Sequence, residues 1–363
     1  MKVCLDARVI TGSPSGIPRV TANVISRLTR LGTEHEFVIL LRPGVQDPCL
    51  QPSDDAQIVE ADVPAYSLRE QYHIPKLLRR LGCDLYHCFT YAAPLRQACK
   101  SIISVHDLTQ LEFPKYVGVI RGNYVRYVTR ATARRAWRVM AVSEYSRWSV
   151  CGHFDIAPDK VFVVHAAVDT DLFTPGDVAG KPVRDMQPYI LNVSNKWPHK
   201  NAATAVRVLK HIERECDHKL VMVGDQNKEV RDLIRQLGLG DRIAIKTDVT
   251  DEELVDLYRG ADVFLFPSLS EGFGMTPLEA MACGVPTVSS CAASLAEVLG
   301  DAALLFCPYD VKHMAEAVLR VIEDSQLRDD LVRKGLDRAK VFTWEDAARR
   351  ILAVYEEAST DGG

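Results

Sequence analysis

Two glutamates eight positions apart, Glu271 and Glu279, stand in the stretch Phe266-Pro-Ser-Leu-Ser-Glu271-Gly-Phe-Gly274-Met-Thr276-Pro277-Leu-Glu279-Ala-Met-Ala-Cys-Gly284. A buried strand ending at Phe266 runs through a glycine-containing turn into a short helix. Thr276 reads as the N-cap, Pro277 as the first helical residue and Gly284 as the residue past the helix end. Gly272 and Gly274 let the backbone approach a ligand closely and turn N–H groups toward it. The helix N-terminus behind them adds partial positive charge suited to a phosphate. The same residues also have an ordinary reading. Thr276-x-x-Glu279 is a capping-box pattern, in which Glu279 would serve its own helix end, and a loop glutamate such as Glu271 is commonly solvated.

A second constellation is Val193-Ser194-Asn-Lys196-Trp-Pro-His199-Lys200-Asn201, where a strand enters a turn and Asn201 can cap the next helix. Lys200 beside that helix N-terminus suits a diphosphate, whose charge it would neutralise; otherwise it is a surface lysine. Near the N-terminus, Asp6-Ala-Arg8 ends a strand and leads into Thr11-Gly-Ser-Pro-Ser-Gly16-Ile-Pro-Arg19. This is not a dinucleotide fingerprint, since G-x-G-x-x-G is absent. His106-Asp107 follows the apolar strand Ile102–Val105 and so lies at its ligand-binding carboxyl end. The alternative there is a capping Asp107 and a half-buried histidine. Val249, in Thr247-Asp-Val-Thr250 after the strand Ile243–Ile245, offers backbone groups to a nucleotide base.

The elements that must position these residues alternate along the chain. Strands are expected at Val3–Leu5, Phe37–Leu41, Leu85–Cys88, Ile102–Val105, Val139–Val142 and Val161–Val164, with helices at Arg19–Leu31, Ser67–Leu81, Val117–Arg135 and Tyr145–His153 between several of them. The second half repeats the pattern with Tyr189–Val193, Leu220–Val223, Ile243–Ile245, Val263–Phe266, Pro286–Ser289 and Ala303–Phe306. Continuous apolar strands separated by helices predict parallel sheets covered on both faces. Leu172–Gln187, rich in Pro, Gly and charge, reads as a linker. The expectation is an α/β protein of two doubly wound, Rossmann-like domains, 1–176 and 186–343. Residues 344–363, with a helix at Trp344–Glu357, return to the first domain. Strand ends of the two domains would line a shared cleft.

At 363 residues the chain exceeds what one core supports, so two domains are the natural prior. A net charge of −4 argues against a dedicated nucleic-acid binder. The ten cysteines form no CxxC pair and no zinc-spaced cluster, a pattern that suits a reducing cytoplasm. No apolar run approaches the roughly 20 residues that span a bilayer.

The string EGFGMTPLEAMACG, with PSLS before it and VPTVSS after it, resembles the E-x7-E signature of retaining glycosyltransferases of the two-domain GT-B type, family 4. The resemblance implies that Glu271, Gly272, Phe273, Gly274, Met275 and Thr276 form the donor-sugar and phosphate loop, and that Glu279 holds the nucleotide ribose. The Val193–Asn201 segment is similar to the family's G-x-x-x-P-R-K-N, with Ser194 for glycine and His199 for arginine. A histidine is mostly neutral at pH 7, so diphosphate binding would lean on Lys200, helped by Lys196. The Gly16 loop resembles the family's N-terminal glycine loop. There Pro18 stiffens the backbone and Arg19 stands where a phosphate or acceptor contact is expected. His106 would lie near the donor sugar. Ser294, Leu295 and Glu297 fall where the family contacts donor and phosphates. Asp169-Thr-Asp171 spells a D-x-D, but in a segment like the family's hinge-proximal N-G-V-D it reads as structural, and no metal or other cofactor is expected.

The implied chemistry is displacement at an anomeric carbon with a nucleoside diphosphate leaving, catalysed by Glu271, His106 and Lys200. Lys200, the helix N-terminus at Thr276 and the Gly16 loop would stabilise the departing charge. Retention through same-face attack is expected, with domain closure excluding water. The resemblance extends to bacterial polysaccharide and lipopolysaccharide mannosyltransferases, which makes GDP-mannose the first donor to consider and a glycan or lipid-linked sugar the acceptor. From Phe113 to Ser143 there is no acid, while Arg121, Arg126, Arg130, Arg134, Arg135 and Arg138 accumulate. A basic amphipathic helix there would attach the protein peripherally to anionic lipid at the inner face of the cytoplasmic membrane, or else present a solvated or internally paired face. Two other readings compete: a sugar-nucleotide epimerase, and a non-catalytic nucleotide-binding subunit.

Overall fold

The computed structural model describes residues 1–12, 16–65, 67–91, 93–113, 119–176 and 188–361, without the side chains of 110 and 119–125. Two compact units result: Met1–Ala167 with Thr343–Gly363, and Val168–Phe342.

The first unit runs β1 (Lys2–Asp6), α1 (Ile17–Leu28), β2 (Glu36–Leu41), β3 (Gln57–Glu60), α2 (Glu70–Leu81), β4 (Leu85–Cys88) and β5 (Lys100–Val105). It continues through α3 (Thr109–Glu112), α4 (Val119–Arg135), β6 (Arg138–Ala141), α5 (Glu144–Phe154) and β7 (Val161–Val163). The sheet order is β3-β2-β1-β4-β5-β6-β7, and every strand pair is parallel. The second unit runs β8 (Tyr189–Val193), α6 (Ala202–Ile212), β9 (Lys219–Val223), α7 (Lys228–Gln236), β10 (Ile243–Lys246), α8 (Asp251–Gly260) and β11 (Val263–Phe266). After these come α9 (Met275–Ala282), β12 (Thr287–Ser290), α10 (Leu295–Leu299), β13 (Ala303–Phe306), α11 (Val311–Glu323) and α12 (Ser325–Ala339). Its sheet order is β10-β9-β8-β11-β12-β13, again wholly parallel.

Parallel strands cannot be joined by a tight hairpin, so each connection crosses a face of the sheet, mostly as a helix. Those helices account for the apolar strands. In the second unit Ala205, Leu209 and Ile212 of α6, Val230 and Ile234 of α7, and Met314 and Val318 of α11 pack on Ile190, Leu220, Met222, Val263 and Leu265. The strand order reverses between β1 and β4, and again between β8 and β11. Loops leaving such a pair diverge to opposite sides and leave a crevice at the strands' carboxyl ends.

The helix α13 (Trp344–Thr360) belongs to the first unit, beside α1. Thr343 caps it by accepting the Asp346 N–H, and Trp344, Ala347, Ile351, Val354 and Tyr355 are buried. The Tyr355 hydroxyl lies 2.6 Å from Nδ1 of His87 on β4, and Lys100 Nζ donates to the Ala358 carbonyl at 3.0 Å.

Two features differ from expectation. Strand β3 carries only Ile58 and Val59 as apolar residues and pairs on one side alone, so its sequence lacks the continuous apolar run of the inner strands. The division between units falls before Val168 rather than at 176. Phe173 is buried edge-on against Tyr258 of α8, and Arg259 donates to the carbonyl and hydroxyl of Thr174 at 2.8 and 2.7 Å. These contacts hold 168–176 on the second unit. Of the expected linker, 177–187 lies outside the described residues.

Candidate active site

In the second unit the chain leaves β8 through the single turn Pro198–Lys200 and leaves the neighbouring β11 through the loop to Glu271. The two exits are tied together at the backbone. The His199 carbonyl accepts the Leu269 N–H at 2.7 Å and the Ser268 hydroxyl at 3.0 Å. Asn201 Nδ2 donates to the carbonyls of Pro267 and Pro308 at 2.9 and 3.1 Å. Asn201 occupies the N-cap position of α6 but caps no backbone N–H: it is in the left-handed region (φ 53°), and its Oδ1 accepts the Thr204 hydroxyl at 3.0 Å instead.

That frame brings Lys200 and Glu271 together. Lys200 Nζ donates to both carboxylate oxygens of Glu271, at 2.8 and 3.0 Å, and lies 5.6 Å from the centre of the Phe266 ring. The two side chains are only 17% and 13% exposed, so Glu271 is not an ordinary solvated loop glutamate.

The helix after this loop begins two residues earlier than the Thr-Pro signal suggests. Helix α9 starts at Met275 and its N-cap is Gly274, at φ 109°. Only glycine accepts that backbone readily, and a Cβ there would stand 2.8 Å from Leu295 Cδ2. Pro277 therefore sits in the first turn at N3, where its missing N–H has no intrahelical acceptor to lose. No side chain caps α9, so the Thr276–Glu279 capping box is absent. Gly272 does not adopt positive φ. The far end matches expectation. Gly284 (φ 76°) and Val285 donate to the carbonyls of Met281 and Ala280, both at 3.0 Å, closing a Schellman motif.

Glu279, eight residues on from Glu271, does not join the Lys200 pair. It is 8% exposed, and its Oε2 accepts the hydroxyl of Tyr258 at 3.2 Å. That hydroxyl is shared with the Thr276 carbonyl at 3.3 Å, so α8 holds both the first turn of α9 and its glutamate. Phe273 is buried edge-on against Phe342, and its part in the loop is through its backbone. Ser294, fully buried, donates to the carbonyls of Glu271 and Phe273 at 2.9 and 2.8 Å and braces the loop from behind. Leu295 is core.

Ser194, the residue after β8, stands within a buried polar chain. Its hydroxyl donates to Asn192 Oδ1 at 2.7 Å and accepts from Gln226 Nε2 at 3.3 Å, while Asn192 Nδ2 donates to the Leu265 carbonyl at 2.9 Å. Lys196 is exposed, Met275 and Thr276 are half-buried, and Val249 is half-buried in the loop after β10. Asp169 Oδ1 accepts the N–H groups of Asp171 and Leu172 at 3.2 and 3.3 Å, an Asx turn.

In the first unit Gly16, at φ 58° and ψ −132°, is the N-cap of α1, and Arg19 inside that helix is only 8% exposed. Residues 13–15 of the glycine loop lie outside the described residues. His106 is buried at the end of β5, and its Nε2 lies 3.1 Å from the Phe89 carbonyl. A carbonyl only accepts, so Nε2 carries the proton and Nδ1 is the free lone pair of a neutral ring. Burial lowers the His106 pKa below its ordinary value and keeps it neutral at pH 7. Asp107 Oδ1 accepts the Thr109 N–H at 2.9 Å.

Sequence reasoning passed over the partners that support these residues. Tyr258 lies inside a helix, Asn192 near a strand end and Gln226 in the loop after β9, and the one available signal was a polar residue in the apolar strand Tyr-Ile-Leu-Asn-Val. It also passed over Glu70 and Tyr86. Arg8 binds Asp6 through Nε and Nη2 at 2.8 and 2.5 Å and Glu70 through Nη2 at 2.6 Å, and Tyr86 donates to Asp6. Burial would raise the Asp6 carboxyl, but the Arg8 guanidinium holds it below its usual range.

The basic run is spread over two elements. Helix α4 ends at Arg135, and Arg138 opens β6. Arg130 and Arg134 lie 3.8 and 2.5 Å from Asp155, and Arg138 lies 3.3 Å from Glu357. Much of that charge is paired within the unit. The Arg121 side chain lies outside the described residues.

Comparison with known proteins gives this arrangement its class. Residues 14–172 match the family model described as Glycosyltransferase Family 4, and residues 177–338 match the one described as Glycosyl transferases group 1. The O-antigen chain mannosyltransferase B of Escherichia coli is 29% identical over 81% of this chain and 80% of its own. Sucrose-phosphate synthase from Thermosynechococcus elongatus superposes with a TM-score of 0.80 at 19% identity, covering 100% of both chains. The Anabaena protein HepE in complex with UDP-glucose does so with a TM-score of 0.76 at 17% identity, covering 98% of this chain and 100% of that one. The fold is GT-B, two Rossmann-like parallel-sheet domains. The chain belongs to the group 1 glycosyltransferases of family 4 and is a hexosyltransferase.

Proposed function

We propose that the chain is a retaining glycosyltransferase that moves mannose from GDP-mannose to a glycan or lipid-linked saccharide during bacterial polysaccharide or lipopolysaccharide assembly, in the cytoplasm and without a metal. The observation that carries the reading is the Lys200–Glu271 pair at the β8/β11 switch point, next to the uncapped N-terminus of α9. A diphosphate placed there meets an ammonium and a helix dipole, both stronger in a half-buried site than in water. As the sugar–phosphate bond breaks, negative charge grows on the leaving oxygen, and these fixed groups stabilise it without reorganising. The Glu271 carboxylate, on a loop braced by Ser294, accepts hydroxyls of the sugar; Glu279, held by Tyr258, accepts the ribose hydroxyls. In this reading His106, a neutral ring whose Nδ1 can accept, serves the donor sugar, and the departing phosphate takes the acceptor's proton. The E. coli relative's name favours mannose, and the exposed Arg126 and Tyr127 on α4 remain a candidate contact for anionic lipid.

The test is transfer in the presence of a chelator, with GDP-mannose and UDP-glucose in parallel and NMR of the product's anomeric proton. Binding of the right nucleotide at about 100 times its dissociation constant should add about 2.7 kcal/mol of stability. An inverted product refutes retention, and rescue by added metal refutes metal independence. Free release of an epimeric sugar nucleotide would support an epimerase. No stabilisation by any nucleotide or sugar nucleotide would point to a non-catalytic subunit.

A further inference from the structure

Resting on the reading of Lys200 as the diphosphate cation and Glu271 as the sugar acceptor, we propose that Glu271 also discriminates between sugar-bearing nucleotide and spent nucleoside diphosphate, by competing with the diphosphate for the Lys200 ammonium. Two of the three Lys200 N–H groups are committed to the Glu271 oxygens, at 2.8 and 3.0 Å. Both backbones are tied in place around this pair. The turn holding Lys200 is pinned by the His199 carbonyl and the Asn201 amide, and the loop holding Glu271 by the Ser294 hydroxyl and the start of α9 at Gly274. A diphosphate can take more than the third N–H of the ammonium only by displacing a carboxylate oxygen.

What replaces the ammonium on Glu271 then decides the balance. A nucleotide-sugar brings hydroxyl donors to the carboxylate as its diphosphate takes the lysine, so both charges stay satisfied. A nucleoside diphosphate brings only acceptors and negative charge. It leaves a half-buried carboxylate without its cation and beside a like charge, which is costly. Once the sugar has gone to the acceptor, Glu271 recaptures Lys200 and drives the nucleoside diphosphate out. The residue that grips the sugar thus also works against product retention.

The experiment is calorimetric titration of GDP and GDP-mannose, with UDP and UDP-glucose alongside, into wild type, Glu271→Gln, Lys200→Met and the double variant. Glu271→Gln is expected to bind the nucleoside diphosphate about tenfold more tightly than wild type and the nucleotide-sugar more weakly. The diphosphate gain should vanish in the Lys200→Met background, because no ammonium is left to compete for. Thermal unfolding shows that each variant is folded, and Glu271→Ala should shift diphosphate affinity in the same direction. Unchanged or weaker diphosphate binding by folded Glu271→Gln overturns the proposal. So does an equal gain in both backgrounds, which would be simple charge repulsion. If wild type binds no nucleotide, the functional reading fails, and the proposal goes with it.

Discussion

Burial of His87 makes acid sensitivity of the first unit calculable. His87 bridges two hydroxyls, with Nδ1 2.6 Å from the Tyr355 oxygen and Nε2 2.9 Å from Ser104 Oγ, so a neutral ring donates to one and accepts from the other. The ring is wholly buried and stacks on Phe89 at 4.2 Å between centroids. Burial, with a smaller contribution from His106, lowers its pKa from 6.5 to about 3. Below pH 6.5 the unfolded chain takes up a proton that the folded chain refuses until about pH 3. Stability is therefore full above pH 6.5 and falls through this window as the pH falls. At one proton the slope is about 1.4 kcal/mol per pH unit, which gives a loss of about 2 kcal/mol between pH 7 and pH 5. The assay is urea unfolding of wild type and His87→Gln at both pH values, followed by a probe in the first unit, with imidazole NMR of the wild type. The variant is expected to be less stable at pH 7 but to lose about 2 kcal/mol less on acidification. Equal losses in the two proteins, or a His87 resonance titrating near pH 6.5, would refute the assignment of a neutral buried ring.

Gly274→Ala would place a methyl 2.8 Å from Leu295 Cδ2 at a backbone angle that alanine rarely adopts. It should cost about 1–3 kcal/mol of second-unit stability and weaken nucleotide binding; an unchanged melting curve with unchanged affinity would show that the turn adapts freely. Tyr258→Phe keeps the ring packing on Phe173 and Phe264 but removes the hydroxyl that Glu279 accepts. Losing that donor is worth about 1–3 kcal/mol, expected as a rise in donor KM with a smaller change in kcat. A KM equal to wild type would detach Tyr258 from nucleotide binding.

The fold was legible because its signals are local. Twelve anticipated strands lie on strands of the two sheets, since each apolar run is short, buried and bounded by turns. The exception, Gln57–Glu60, is an edge strand with solvent-facing residues and so lacks that pattern. The site was legible in part. Its glycines and proline marked a strand–turn–helix, but the helix start slid from Thr276 to Gly274 because tertiary packing of the loop on Leu295 requires a residue without Cβ at the cap. Asn201 was read as a side-chain cap by the same local logic, but its Oδ1 accepts the Thr204 hydroxyl while its Nδ2 reaches two distant carbonyls.

By itself the sequence determined the alternation of strands and helices, the parallel sheets that follow from it, and the residue types gathered at the strand ends. These depend on periodicity and on Gly and Pro chemistry within a few residues. The tertiary structure alone decided which of those residues meet. Lys200 and Glu271 are 71 positions apart and touch because β8 and β11 are neighbours across the reversal in strand order. Glu279 meets Tyr258 rather than its own helix end because α8 packs beside the first turn of α9. The helix at 344–360 joins the first unit through Tyr355 and His87, which are 268 positions apart. No local pattern encodes such pairings, because they arise only when many weak packing preferences are satisfied together.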